Sequence, residues 1–429
     1  MIDEVKKIDE EYNYFNSIVD SPKKEGNGKL DNVAVSVKDC ICVKGVESRA
    51  GSKILSGYRP VFDSTVISKV KQEGGMIIGK TSQDAFGFGS FNTNVGLGMK
   101  IPLNPFDKER VCGGSSGGSA GITQKASFRH ISLAESTGGS IVCPASFCGV
   151  VGLCPTYGRV SRYGLMDYAN SLDKIGPMAK NVSDVGLMME VISGSDDKES
   201  TSLDAPVPKY SSLKKGDLKI GVIKESLGKG TDDDIKKIIL DKLDKAGCDE
   251  VSLPLTNKYG VYTYYLIAMC EASTNLARYC GMRYGKHENL EGNFNKYFSK
   301  VRSNNLNEES KRRVIIGTFA RMAGFRDAYY IKAMQLRTKI IEEYKKLFSK
   351  YDVLVSPTMP IVAPRFDDVK KLTPLQNYMM DILTVGPNLA GLPHMTVPAG
   401  FKDKMPVGMM IIGDHLNEEK VMQAGSGFE

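Results

Sequence analysis

The sequence predicts an α/β protein, a sheet covered by helices on both faces within one large domain, and three observations carry that expectation. Residues 61–80 supply the first. Ser64 to Gln72 places Val66, Ile67 and Val70 on one helical face, Gly74 and Gly75 stop the helix, and Met76 to Ile78 reads as a short buried strand. The second is the return of the same alternation downstream. A strand is expected at Leu218 to Ile223, a helix at Ile235 to Ala246, a long helix near Tyr329 to Phe348 and a strand at Val353 to Val355. The third is continuity: 429 residues run without a repeat or a low-complexity linker, so one domain spanning 1–429 is the simpler expectation. Residues 225–330 are richer in charge and helix and are expected to cap one edge of the sheet.

Composition narrows the function classes. Hydrophobic residues make up 41% and charged residues 25%, an ordinary balance for a globular chain, and no stretch reaches the roughly 18 apolar residues of a membrane span. The first fifteen residues carry Asp3, Glu4, Lys6, Lys7, Asp9, Glu10 and Glu11, unlike a secretory signal. Nine cysteines scattered through apolar segments point to a reducing cytoplasm rather than a disulfide framework. Zinc is a poor reading, because no Cys-x2-Cys pair exists and His130, His287, His394 and His415 lie far apart in the chain. The net charge of +7 is spread without a basic block, so it tolerates RNA without demanding it.

Two motifs look like sites and fail on context. Gly74 to Thr81, GGMIIGKT, matches the phosphate-loop pattern letter for letter. A phosphate loop follows a strand and precedes a helix, whereas this one contains the strand, and amides engaged in a sheet cannot wrap a phosphate. Gly113 to Gly117, GGSSG, matches the nucleophile elbow of α/β-hydrolases. That elbow needs a strand running into the serine and a later acid and histidine; Arg110-Val111-Cys112 is a weak strand, and the histidines sit in no supporting motif.

Glycine, 44 of 429 residues, concentrates in GGSSGGSAG at 113–121 and TGGS at 137–140. Asn32 to Cys40, NVAVSVKDC, alternates so that Lys38 emerges at a strand end on the face opposite its valines. Alone, Lys38 reads as a solvated strand-end charge. In Ile131 to Gly149 a short strand runs into two glycines, then Ser140, then a short helix ended by Gly149. Ser140 therefore stands at or near a helix N-terminus. The amides of Thr137 to Ser140 are expected to point outward unpaired, as the oxyanion of a tetrahedral intermediate requires. A plain N-cap is the other reading of such a serine.

Lys38 in VSVKD, Ser115 in GGSSGGS and Ser140 in STGGSIVCPASFCGVVGLCPTYGRVSR resemble the three conserved pieces of the amidase-signature family. The lysine and first serine are 77 residues apart, the two serines 25, and the likeness continues through SLDKIGPM at 171–178 and NLAGLP at 388–393. The resemblance implies the amidase-signature fold, a central mixed β-sheet flanked by helices. It also implies roles: Ser140 as nucleophile, Ser115 as proton relay beside a cis peptide, Lys38 as distal base, and Thr137, Gly138 and Gly139 as the oxyanion loop. A lysine acts as base only when neutral, a form that burial favours. Two positions depart from the family, which carries Asp four residues before the nucleophile and Arg two after. This chain has Ser136 and Val142, a joint loss that reads as a swapped pair. The serine-to-serine interval is also one residue longer.

Within the family, three segments resemble the branch that hydrolyses glutamine and passes the ammonia to a tRNA-bound acyl group on a partner: YYLIAMCEASTNLARYCGMRYG at 264–285, KRRVIIGTFA at 311–320 and NYMMDILTVGPNLAGLP at 377–393. By position, Arg313 resembles the residue that grips the glutamine α-carboxylate, Asp381 the one that takes its α-ammonium, and Tyr264 or Tyr265 a pocket wall. Arg313 beside Lys311 and Arg312 also reads as a helix-surface charge. The resemblance further implies B and C partner subunits, Glu-tRNA(Gln) bound mainly by the partner, no cofactor in this chain, and ATP and Mg on the partner. The competing readings are a stand-alone amidase for another carboxamide and a non-catalytic structural subunit.

Overall fold

Eleven strands form one mixed sheet among the described residues, which are 1–244 and 247–429 of the computed structural model. In chain order they are β1 (Phe15–Ile18), β2 (Ala34–Lys38), β3 (Met76–Thr81), β4 (His130–Ser136), β5 (Val151–Cys154), β6 (Lys174–Ala179), β7 (Ile220–Ile223), β8 (Cys248–Val251), β9 (Val353–Pro357), β10 (His394–Lys402) and β11 (Met405–Gly413). Across the sheet they run β1-β3-β2-β4-β6-β5-β10-β11-β9-β7-β8. β2 pairs parallel with β3 and β4, and β7 parallel with β8 and β9, while the middle of the sheet is antiparallel. Every residue of β2 and β4 is buried, as expected of strands covered on both faces. Because β2 and β4 run in the same direction, Lys38 and Ser136 end their strands at the same edge, where open α/β sheets place their sites.

The helix expected at Ser64–Gln72 forms over Thr65–Gln72 with Ser64 as N-cap. The strand after it runs three residues further than Met76–Ile78, so the lysine and threonine of GGMIIGKT lie inside β3, paired with β2 and β1. Their backbone serves the sheet, and Lys80 Nζ donates to Ser48 Oγ at 2.7 Å. Arg110 and Val111 form only isolated bridges, to Arg365 and Leu103, so no strand leads into GGSSG. The helix expected over Ile235–Ala246 is observed as Asp233–Leu243; Lys245 and Ala246 lie outside the described residues. The long helix expected near Tyr329 to Phe348 starts at Lys332, behind a π-helical turn at Asp327–Ile331.

The region expected as a cap, 225–330, divides. Its first part supplies the helix Asp233–Leu243 and the edge strand β8, and the helices Pro254–Asn275, Phe294–Asn305 and Glu308–Arg321 follow. Pro254 at the first helical position and Asn307, whose side chain accepts from Ser310 N, set two of their starts. The helices 254–275 and 308–321 pack close together at Gly317, where a Cβ would lie 1.8 Å from the Met269 carbonyl oxygen. Gly317→Ala is therefore expected to force these helices apart and to destabilise the protein by about 1–3 kcal/mol. A lowered urea midpoint at unchanged m-value checks it; an unchanged midpoint would show that the helix pair yields without cost. Among the described residues no helix is long and apolar enough to cross a membrane.

Candidate active site

Lys38, the last residue of β2, is fully buried, and its Nζ lies 2.7 Å from Ser115 Oγ and 2.8 Å from both the main-chain oxygen and Oε2 of Glu135. The solvated-charge reading of Lys38 is therefore wrong for this structure. Ser115 follows a cis peptide after Gly114 and precedes the helix Gly117–Lys125. Its loop is held from Asp84, whose amide donates to Ser115 O and whose carboxylate accepts from the amides of Asn92 and Asn94. Burial pushes the Asp84 carboxyl up to about 6.

β4 carries the chain from Glu135 and Ser136 into the glycine loop. The helix after it begins at Val142, and its first turn is anticipated by Cys143 N donating to Gly139 O at 2.8 Å. Ser140 thus stands two residues before a short helix, at 6% exposure. Among the described residues the amides of Gly138, Gly139 and Ser140 find no backbone carbonyl. Neither glycine has room for a side chain: a Cβ on Gly138 would lie 2.9 Å from the Tyr264 ring, and one on Gly139 2.5 Å from Thr384 Oγ1.

The two departures are satisfied without charge. Ser136 Oγ donates to Gly138 O at 2.9 Å and braces the loop from within, Asn388 Nδ2 donates to Thr137 O from the other side, and Val142 is buried in the core. NLAGLP thus contributes a brace for the loop through Asn388.

Thr137 Oγ1 sits between Glu135 Oε1 at 2.9 Å and Asp173 Oδ1 at 2.8 Å. Asp173 lies just before β6, which pairs antiparallel with β4, and also accepts from the amides of Tyr168 and Ala169. Burial, and after it the charge of Glu135, raise the Asp173 carboxyl well above its ordinary value.

Over the loop stands a group of aromatic rings. Tyr264 and Tyr265 meet edge to face at 4.8 Å, and Tyr265 hydroxyl donates to Asp381 Oδ2 at 2.5 Å. The Arg313 guanidinium lies over the rings of Phe88, Tyr168, Tyr265 and Tyr378 at 5.1–5.8 Å. It is 2% exposed, donates through Nε to Glu309 Oε1 and through Nη1 to Tyr168, and is no surface charge. Burial raises the Asp381 carboxyl, against the pull of the Tyr265 and Ser90 hydroxyls and of Arg313. A cavity of about 490 Å³, lined among others by Ser90, Phe91, Glu309, Arg313 and Tyr378, opens beside the cage.

The structure thus brings Lys38 to Ser115, sets Tyr264 on the Gly138 loop, and gathers Arg313 and Asp381 around Tyr265. Sequence reasoning missed Glu135, Asp173, Glu309, Tyr168 and Asp84. Glu309 left a signal, since it stands one helical turn before Arg313. Asp173 stood inside SLDKIGPM and Glu135 inside the segment leading to TGGS, but nothing local tied either to Lys38.

The family described as Amidase matches residues 13–422 of this chain. The glutamyl-tRNA(Gln) amidotransferase A subunit from Methanococcoides burtonii is 46% identical over 415 residues, covering 95% of this chain and 86% of the relative. The protein of the same name from Sulfurihydrogenibium sp. is 45% identical over 437 residues, covering 100% and 87%. A crystal structure of the glutamyl-tRNA(Gln) amidotransferase A subunit from Thermotoga maritima superimposes with a TM-score of 0.82 at 36% identity, over 99% of this chain and 89% of that one.

Proposed function

The chain belongs to the Amidase family, and from that premise we propose that it is the glutaminase subunit of a tRNA-dependent amidotransferase, supplying ammonia for the conversion of Glu-tRNA(Gln) to Gln-tRNA(Gln). The observation that carries the reading is the fully buried Lys38 amine bonded to Ser115 beside the glycine loop of Ser140. Ser140 Oγ attacks the side-chain amide carbon of glutamine. Its proton passes to Ser115 Oγ as the Ser115 proton passes to Lys38 Nζ. The oxyanion that forms is met by the amides of the Thr137–Gly139 loop, which are fixed in place before the reaction begins. Collapse returns the proton through Ser115 to the leaving nitrogen, ammonia departs, and water hydrolyses the acyl-enzyme to glutamate.

Arg313 takes the α-carboxylate of the substrate and Asp381 its α-ammonium, with Tyr264 and Tyr265 as the walls between. The ATP and Mg chemistry, the B and C subunits and the tRNA contacts belong to the rest of the complex. Purification with its partners from the native host, followed by a glutaminase assay with and without them, tests the assignment. Glutamine turnover that depends on a co-purifying partner and on charged tRNA is expected. Turnover of other amides by the isolated chain, at rates exceeding those for glutamine, would favour a stand-alone amidase.

A further inference from the structure

An amine acting as base has two N–H donors and one lone pair. Around Lys38 Nζ the two oxygens of Glu135, main-chain and Oε2, stand at 2.8 Å, and Ser115 Oγ stands at 2.7 Å. Once its two hydrogens go to Glu135, the lone pair of a neutral Lys38 has one direction left, and Ser115 Oγ occupies it. The same carboxylate is then the counter-charge for the ammonium that forms.

The far side of Glu135 shows which group keeps the charge. Thr137 Oγ1 lies within hydrogen-bond distance of both Glu135 Oε1 and Asp173 Oδ1, yet a hydroxyl has one proton to give. Both contacts are favourable when Asp173 is itself protonated, and burial together with the Glu135 charge favours that form. Asp173 then donates to Thr137, Thr137 donates to Glu135 Oε1, and Glu135 remains the charged member, turned toward Lys38.

We propose that Glu135 is the positioning residue of the Lys38 base, aiming the amine at Ser115 through its two oxygens and balancing the ammonium formed as the Ser115 proton arrives. The proposal rests on the reading of Lys38 as base. In the step concerned the Ser115 O–H bond breaks and a Lys38 N–H bond forms; no proton moves to Glu135. The other ionisable groups around the pair are accounted for. The Cys40 thiol, 4.0 Å from Glu135 Oε2, is pushed well up by burial and stays neutral. The Asp84 carboxylate is held by the amides of Asn92 and Asn94, and Lys80 is turned to Ser48 and the Asp39 carbonyl.

The test is the pH profile of glutamine hydrolysis by the intact complex, measured for wild type, Glu135→Gln, Asp173→Asn and Lys38→Met, with ammonia-dependent amidation in each preparation reporting assembly. Glu135→Gln keeps the shape and one acceptor oxygen, which serves either Nζ or Thr137 but not both, and removes the charge. Its kcat is expected to fall about 10- to 100-fold at neutral pH with KM nearly unchanged. The ascending limb of kcat/KM is expected to move to lower pH by about one unit, since an ammonium without its counter-charge forms less readily. Asp173→Asn, whose amide still donates to Thr137, is expected to leave the limb in place. A Glu135→Gln profile whose limb coincides with that of wild type would overturn the proposal, whatever its kcat. An Asp173→Asn profile displaced like that of Glu135→Gln would overturn the charge assignment along the chain. Should Glu135→Gln fail to assemble, Glu135→Ser carries the same test. Appreciable glutaminase activity in Lys38→Met would refute Lys38 as base, a failure separate from that of Glu135.

Discussion

Ser140→Ala is expected to lower glutamine-dependent amidation by about 10⁴-fold or more while leaving amidation from added ammonia at the wild-type rate. The loss is large because the hydroxyl supplies the covalent step itself. Ser115 and Lys38 have no proton to move once the attacking oxygen is gone, so the relay 2.7 Å long between them becomes idle. Ammonia from solution enters after the lost step. Structural damage is not expected: Ser140 is small, and the loop is held by Ser136, Asn388 and the close packing of Tyr264 and Thr384 against its glycines. The measurement is a pair of rates on one preparation, glutamine-driven and ammonia-driven. Retention of most of the glutamine-driven rate would remove Ser140 from the role of nucleophile. Parallel loss of both rates would mean that the substitution disrupts assembly.

The part of this site that was legible in the sequence is the part written in local residue identity. Glycines where a Cβ would fall under 3 Å from a ring or a hydroxyl, and a lysine ending a strand of alternating valines, are features of a few neighbouring residues. Their meeting depends on β2 and β4 lying side by side and parallel, which the helix–strand alternation anticipates. Glu135 and Asp173 were not legible for the opposite reason. Their contact through Thr137 arises from the antiparallel register of β4 on β6, with Ser136 opposite Lys174, and no period in either segment encodes that register. Boundaries slipped where tertiary context overrides propensity. β3 runs on through a lysine and a threonine because β1 and β2 pair with both of its edges, and Lys332 rather than Tyr329 begins the long helix because a π turn precedes it. The same limit hid the surroundings of Arg313. Three consecutive basic residues in a helix read as solvated, and the rings that bury the third come from four separate segments, at Phe88, Tyr168, Tyr265 and Tyr378.

Arg313→Ala and Asp381→Asn are expected to cut kcat/KM for glutamine by about 30- to 4000-fold, the equivalent of about 2–5 kcal/mol, and to leave slow hydrolysis of a simple aliphatic amide nearly unchanged. The loss comes from unpaired charge. Arg313 is caged by aromatic rings, engaged by Glu309 and Tyr168 through two of its nitrogens, and carries Nη2 for an incoming carboxylate. Asp381 is buried, with its carboxyl raised toward the neutral form and the Tyr265 hydroxyl donating to it at 2.5 Å; the ammonium of an amino acid would restore its charge. Removing either partner leaves one end of the zwitterion desolvated and unmatched, at the cost stated. A neutral amide lacking both α groups makes neither contact and has nothing to lose. Comparing the two substrates in wild type and both variants separates recognition from support of the fold. Equal losses on both substrates would mean that Arg313 and Asp381 support the fold around the site rather than the substrate, and the glutamine assignment would lose its physical basis.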